Sequence, residues 1–124
     1  MIIEIDYNSD EPIYEQLKRQ MIVAIARGDL KKGERLPSVR AMGENLGINL
    51  HTVRKTYNIL KDEGYLVIDR RIGAMVSEDF KIDRNNILEE ELVYLMSRAK
   101  IAGAKKEEII EKIASVYDDL EGGK

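Results

Sequence analysis

Five polar side chains within residues 51–58 have the types and spacing that recognition of nucleic acids uses. They lie in the stretch GINLHTVRKTYNIL at residues 47–60 and are His51, Thr52, Arg54, Lys55 and Asn58. Arginine can pair with guanine through two hydrogen bonds and asparagine with adenine, while histidine, threonine and lysine can reach phosphates or base edges. The segment therefore predicts either a surface that reads DNA or the solvent-facing side of an ordinary helix.

The helix expected to carry these side chains separates apolar from polar residues. At 100° per residue, one side of this helix is formed by Val53, Thr56, Tyr57 and Leu60, and the opposite side by His51, Arg54, Lys55, Asn58 and Asp62. The acidic residues Asp62 and Glu63 lie only at the C-terminal end of this helix, whereas a merely solvated helix more often mixes glutamate with lysine. This distribution favours recognition of nucleic acid over the solvated helix.

The net charge of -3 hides a local excess of positive charge. Residues 35–71 carry a net charge of +3, whereas residues 1–34 carry -2 and residues 72–124 carry -4. Because attraction to phosphates acts over about one Debye length, a local basic patch on an acidic chain is sufficient for duplex binding. The alternative is that a difference of a few charges between segments arose by chance.

Capping signals place two more helices before this one. The first is expected over residues 11–27, with Pro12 at its first helical position. A short second helix is expected after Ser38 as its N-cap, and Gly47 can adopt the left-handed conformation that ends it. Asn49 can then cap the third helix. Two short helices joined through a tight glycine turn form a helix-turn-helix.

A β-hairpin is expected directly after the third helix. Apolar residues alternate at Leu66 and Ile68, and again after the turn sequence DRRIG. A hairpin in this place is a wing, and arginines at its tip can enter a narrow minor groove. Arg70 and Arg71 are the candidates. The alternative is an exposed turn with two solubilising arginines.

The C-terminal third predicts two amphipathic helices, separated near Gly103. Their apolar residues exceed what one small helical hairpin can bury, so we expect a partner, and a two-fold dimer would present two recognition helices to a palindromic operator. Packing against the first part of the same chain is the alternative. The expected dimerisation residues are Leu88, Leu92, Leu95, Met96, Ile109, Ile113, Val116, Tyr117 and Leu120.

Composition excludes most enzyme classes. The chain has no cysteine and one histidine, and it lacks a glycine-rich loop of the Walker or dinucleotide-binding kind. The acidic runs 89–91 and 118–119 are expected to be solvated. The sequence therefore predicts no catalytic activity, no metal site and no cofactor. No signal peptide or membrane-spanning run is present, which indicates a soluble, cytoplasmic protein without a membrane partner.

Residues 12–76 resemble the N-terminal winged-helix domain of the GntR family of bacterial transcription regulators. The resemblance rests on G-x-L-x-x-G-x-x-L-P-S-x-R at residues 28–40, followed by L-G-I-N-x-x-T-V-R and L-x-x-E-G-Y. The short remainder is similar to the YtrA subfamily, in which two helices follow the winged helix and form the dimer.

The resemblance implies roles at matching positions. Arg40 matches a family arginine that reaches bases and phosphates from the second helix, and Asn49, His51, Thr52 and Arg54 match the start of the recognition helix. There are departures as well. Leu50 stands where many members carry a polar residue or proline, and Arg71 replaces the first glycine of the wing sequence G-x-G-T-F-V.

Together these observations predict a mainly α fold with a small β-hairpin wing. We expect a winged helix-turn-helix DNA-binding domain over residues 1–78 and a two-helix dimerisation hairpin over residues 79–124. The predicted function is a homodimeric, sequence-specific DNA-binding transcription regulator, a repressor on a palindromic operator. The alternative is a winged-helix module that binds another protein. The existence of a small-molecule effector stays open.

Overall fold

Two structural units follow one another along residues 2–122, the part of the chain that the computed structural model describes. The first lies within Met1–Lys81 and the second within Ile82–Lys124. The first unit contains α1 (Ile13–Arg27), α2 (Val39–Leu46), α3 (Leu50–Asp62), β1 (Leu66–Asp69) and β2 (Gly73–Val76). The second contains a π-helical turn (Asn86–Glu91), α4 (Leu92–Ile101) and α5 (Lys106–Gly122). The predicted fold class, mainly α with a small β wing, is confirmed.

The turn between α2 and α3 has the predicted caps. The Ser38 hydroxyl accepts a hydrogen bond from the Ala41 amide at 3.0 Å, and the Asn49 side chain accepts one from the His51 amide at 2.7 Å. Gly47 ends α2 in the left-handed conformation, with φ of 68°. These local interactions satisfy amide groups that the first turn of a helix leaves unpaired, and so they fix where α3 begins.

The start of α1 differs from the prediction. Pro12 is the N-cap with ψ of 147°, so the helix begins at Ile13 and the placement of Pro12 at the first helical position is wrong. The Pro12 carbonyl still accepts hydrogen bonds from the amides of Glu15 and Gln16 at 3.1 Å. An extended N-cap residue can supply its carbonyl to the first turn without being helical itself.

The core of the first unit lies where α1, α3 and the hairpin meet. The predicted apolar side of α3 is confirmed, since its four residues are buried. Leu17 and Met21 of α1 and Val76 of β2 are fully buried beside them. Ile68 alternates with the buried Leu66 on β1 but is 40% exposed. Because one side of α3 is buried in this core, the opposite, polar side of the helix faces solvent.

The wing is a two-stranded antiparallel sheet. Its register pairs Leu66 with Val76 and Asp69 with Gly73. Residues 33–36 add backbone hydrogen bonds to β2, from the Leu36 amide to the Ala74 carbonyl and from the Val76 amide to the Glu34 carbonyl, each 2.9 Å. This third backbone segment, which the sequence pattern did not predict, attaches the hairpin to the chain that leads into α2.

The first unit extends as far as Lys81 because Phe80 packs back onto it. The Phe80 ring lies 6.5 Å from the Tyr65 ring, centroid to centroid, and Lys32 Nζ lies 5.5 Å from its centroid. The functional roles assigned to residues 1–78 and 79–124 stay predictions.

In the second unit, none of the residues described in the helices is buried. The predicted break is present, with Gly103 at φ of 92° and Glu107 and Glu108 in the first turn of α5. The π-helical turn before α4 was not predicted. Among the described residues, no helix is both long and apolar enough to cross a membrane.

Candidate nucleic-acid interface

On the exposed side of α3, the guanidinium of Arg54 is oriented by a contact with the His51 ring. Arg54 Nη1 lies 3.3 Å from His51 Nδ1, one turn earlier, and both side chains are exposed. A guanidinium can only donate, so the imidazole nitrogen in this contact is the acceptor. The remaining N–H groups of Arg54 stay available for an external acceptor such as the O6 and N7 edge of guanine.

Lys55 points towards α1. Its Nζ lies 3.8 Å from the centroid of the Tyr14 ring, a cation–π contact that restricts the motion of the lysine. Sequence reasoning missed this contact because Tyr14 and Lys55 are distant in the chain and no local periodicity relates them. The contact fixes a positive charge where α3 crosses α1.

A cleft of about 280 Å³ joins α3 to α2 and to the wing. Arg54 and Asn58 border it on the α3 side, so two of the predicted base-reading residues face the same space as the hairpin. The lining residues are Ser38, Val39, Arg54, Tyr57, Asn58, Ile68, Gly73 and Ala74. The structure thus brings the beginning of α2, the exposed side of α3 and the strands of the wing together.

Arg40 lies at a second hollow of about 280 Å³, bordered by the α2–α3 turn. Leu50, at the start of α3, lines the same hollow and is half-buried. Arg40 itself is exposed.

Thr52, one turn before the buried Thr56 on α3, is half-buried, and its carbonyl accepts a hydrogen bond from the Thr56 hydroxyl at 3.0 Å.

The wing turn is closed by an acidic side chain. Asp69 Oδ1 accepts hydrogen bonds from the Arg71 amide at 2.7 Å and from the Ile72 amide at 3.3 Å. Gly73 follows with φ of 87°. Asp69 therefore fixes the backbone of the turn that carries Arg70 and Arg71, and both arginines are exposed.

Cations of the candidate interface differ from those of α1. Lys18 Nζ lies 3.4 Å from Glu15 and 3.7 Å from Glu63, and Arg19 pairs with Glu11 at 3.2 Å, so these two cations of α1 already have carboxylate partners. Within residues 2–122, no ion pair shorter than 4.0 Å involves the cations of the interface, which are Arg40, Arg54, Lys55, Arg70 and Arg71. Cations without carboxylate partners are available to pair with a polyanion.

Comparison with known proteins identifies the family of this chain. Residues 13–76 match the family described as bacterial regulatory proteins, gntR family. The chain belongs to the GntR family. The resemblance that the sequence motifs predicted is confirmed, and with it the function class of transcription regulator.

Relatives of this GntR-family chain extend over its second unit. The HTH-type transcriptional repressor YtrA of Bacillus subtilis (strain 168) is 35% identical, covering 99% of this chain and 98% of that protein. The structure of YtrA from Sulfolobus acidocaldarius, a GntR-family transcription factor, is 38% identical with a TM-score of 0.67, covering 78% of this chain and 99% of that chain. The predicted similarity to the YtrA subfamily is therefore confirmed.

A third comparison concerns the fold alone. The DNA-binding domain of AraR, solved in complex with operator ORX1, superposes with a TM-score of 0.55 and is 22% identical, covering 60% of this chain and 96% of that chain.

The two YtrA proteins are named as a transcriptional repressor and a transcription factor, not as enzymes. The individual DNA-binding residues of this GntR-family chain stay predictions.

In this GntR-family chain, a hydrogen bond from Tyr57 connects α3 to the segment before α2. Its hydroxyl donates a hydrogen bond to the Pro37 carbonyl at 2.8 Å, and burial raises the pKa of the phenol above its usual value. The side chain is therefore a neutral donor at physiological pH, and it sets the spacing of α2 and α3.

We expect Tyr57→Phe to lower the free energy of unfolding by about 1 kcal/mol, because the Pro37 carbonyl loses a part-buried hydrogen bond. Urea denaturation followed by circular dichroism measures the difference. Tyr7→Phe is the matched control, since the Tyr7 hydroxyl donates to the Gly47 carbonyl at 3.1 Å from an exposed position where water can replace it. Equal losses in the two variants would show that burial of the Tyr57 contact adds nothing.

Proposed function

We propose that the protein is a homodimeric, sequence-specific DNA-binding repressor that reads a palindromic operator. The observation that carries the proposal is the group of unpaired cations on α2, α3 and the wing, beside the polar side chains of α3. AraR uses the same fold in its operator complex, and the B. subtilis relative is named a repressor. We assign no catalytic activity, and we place the protein in the cytoplasm, where an operator would be accessible.

In this proposal α3 enters the major groove. Arg54 and Asn58 pair with base edges across the groove, and His51 orients Arg54. Lys55 contacts a phosphate, because its contact with Tyr14 directs it away from the centre of α3. Residues at the beginning of the two helices, Arg40, Asn49 and Thr52, contact the backbone or base edges beside it.

The wing supplies the second contact. Arg70 and Arg71 lie in a turn that Asp69 closes, so their side chains project from a fixed backbone. The potential of a narrow minor groove is strongly negative, and arginine is the side chain most suited to it. We therefore assign both arginines to the minor groove next to the bases that α3 reads.

The second unit is the proposed dimerisation domain. Its helices expose large apolar side chains, including Leu95 at 50% and Tyr117 at 64%, over a contiguous length of chain. Apolar surfaces of this kind mark protein interfaces. A second copy is the fitting partner, because two-fold symmetry would place two α3 helices at half-sites about one helical turn apart.

The salt dependence of binding tests the proposal against a protein-binding winged helix. We expect the logarithm of the affinity for operator DNA to fall linearly with the logarithm of salt concentration, by about 0.9 for each phosphate contact. Lys55→Ala should make the slope shallower by about 1. Lys18→Ala is the control, since Lys18 is already paired with Glu15 and Glu63 and its loss should leave the slope unchanged.

A slope near zero would contradict DNA binding and favour the protein-interaction module. Fluorescence anisotropy with a labelled duplex, repeated at several potassium chloride concentrations, gives the slope directly. Equal slopes for wild type and Lys55→Ala would remove Lys55 from the phosphate contacts while leaving the rest of the proposal intact.

A further inference from the structure

We propose that Ile72 is a specificity-determining residue that selects A·T over G·C base pairs in the minor groove under the wing. The inference rests on the proposed function, because it needs the wing to lie on DNA. Ile72 is a large apolar side chain in the turn 70–72, between Arg71 and the first residue of β2, and it is 38% exposed.

The backbone under Ile72 is fixed. Its amide donates to Asp69 Oδ1 at 3.3 Å, and the Arg71 amide donates to the same oxygen at 2.7 Å. Isoleucine is β-branched, so its first side-chain torsion has few accessible rotamers. Ile72 therefore presents an apolar surface from a preorganised position with a cation directly before it in the chain.

The chemistry of the minor groove gives this surface a preference. A·T pairs of either orientation present only acceptors there, whereas a G·C pair adds the N2 amino group of guanine as a donor. An isoleucine packed on the floor of the groove removes water without offering an acceptor. Burying the amino group unpaired is costly, so G·C under Ile72 is disfavoured.

The effect of Ile72 is separable from that of the neighbouring arginines. Arginine favours A·T-rich sequences through the width and potential of the groove. Ile72, in contrast, disfavours the N2 amino group of guanine directly. Asparagine at position 72 would offer a side-chain carbonyl to that amino group, so Ile72→Asn should remove the discrimination while Arg70 and Arg71 are retained.

Base analogues make the test specific to the minor groove. Inosine removes the N2 amino group from guanine, and 2,6-diaminopurine adds one to adenine, while the major-groove faces are unchanged. These analogues are substituted one position at a time across an operator obtained by selection. Under the wing we expect wild type to bind A·T and inosine·C duplexes equally, and G·C and diaminopurine·T duplexes about tenfold more weakly.

Variants then assign the discrimination to a side chain. Ile72→Asn should bind all four duplexes within about twofold of one another, and Ile72→Ala should fall in between. Val67→Asn is the matched control, because Val67 is a similarly exposed apolar residue of β1, outside the turn, at 42%. It should keep the tenfold difference.

Two results would overturn the inference alone. One is tenfold discrimination retained in Ile72→Asn, which would assign it to groove width; the other is operator binding that no analogue position affects. If wild type binds no operator above the level of unrelated duplexes, the proposed function fails and the inference fails with it.

Discussion

Replacing Arg54 by alanine is expected to remove about 1 to 3 kcal/mol of discrimination between the operator and the same duplex with one guanine replaced. The reason is geometric, because a bidentate pair with O6 and N7 is available to guanine only. His51 orients the guanidinium through the contact at 3.3 Å. Competition binding with the two duplexes, at one fixed salt concentration, measures the difference for wild type and variant.

Arg19→Ala is the control for the loss of an exposed arginine. Arg19 lies on α1 and pairs with Glu11 and Glu15, so its removal should leave discrimination unchanged. A uniform loss of affinity on all duplexes in Arg54→Ala would contradict base reading and make Arg54 a phosphate contact. Unchanged binding would remove Arg54 from the interface.

Leu92→Asp is expected to convert the proposed dimer into a folded monomer with much weaker operator binding. Leu92 begins α4 and is 37% exposed in the single chain, so an aspartate there can be solvated in the monomer but not in an apolar interface. Loss of two-site binding should reduce operator affinity by a factor of about 10² to 10⁴. Light scattering gives the mass, and anisotropy gives the affinity.

Tyr94→Asp is the matched variant for the interface. Tyr94 is two residues further along α4, about 200° around the helix, and it is 67% exposed. The mass in solution and the operator affinity of Tyr94→Asp should match those of wild type. A dimeric Leu92→Asp would exclude the Leu92 side of α4 from the interface, and monomeric wild type would contradict the proposed dimer altogether.

The sequence predicted the elements whose causes are local. The alternation of buried and exposed residues in α3, the Ser38 and Asn49 caps and the left-handed Gly47 each follow from residues within a few positions of one another. The wing hairpin followed in the same way from period-two alternation around a short turn. Local interactions were therefore sufficient to predict the helices and the hairpin that carry the candidate interface.

Contacts between distant segments could not be predicted in this way. The position of Lys55 over Tyr14 depends on how α1 crosses α3, and the pairing of residues 33–36 with β2 depends on the completed sheet. The π-helical turn also escaped prediction, because one irregular turn barely alters the spacing of apolar residues. The role of Asp69 could have been recognised, since an aspartate before a turn commonly accepts from the amides that follow it.

Selection of randomised duplex DNA on the purified protein at physiological salt, followed by sequencing of the retained duplexes, tests the central claim most directly. We expect enrichment of a two-fold symmetric motif with half-sites about one helical turn apart, since two copies of α3 would read it together. Retained duplexes with no common sequence would contradict sequence-specific recognition by the polar side of α3, and an enriched motif without symmetry would contradict the dimer.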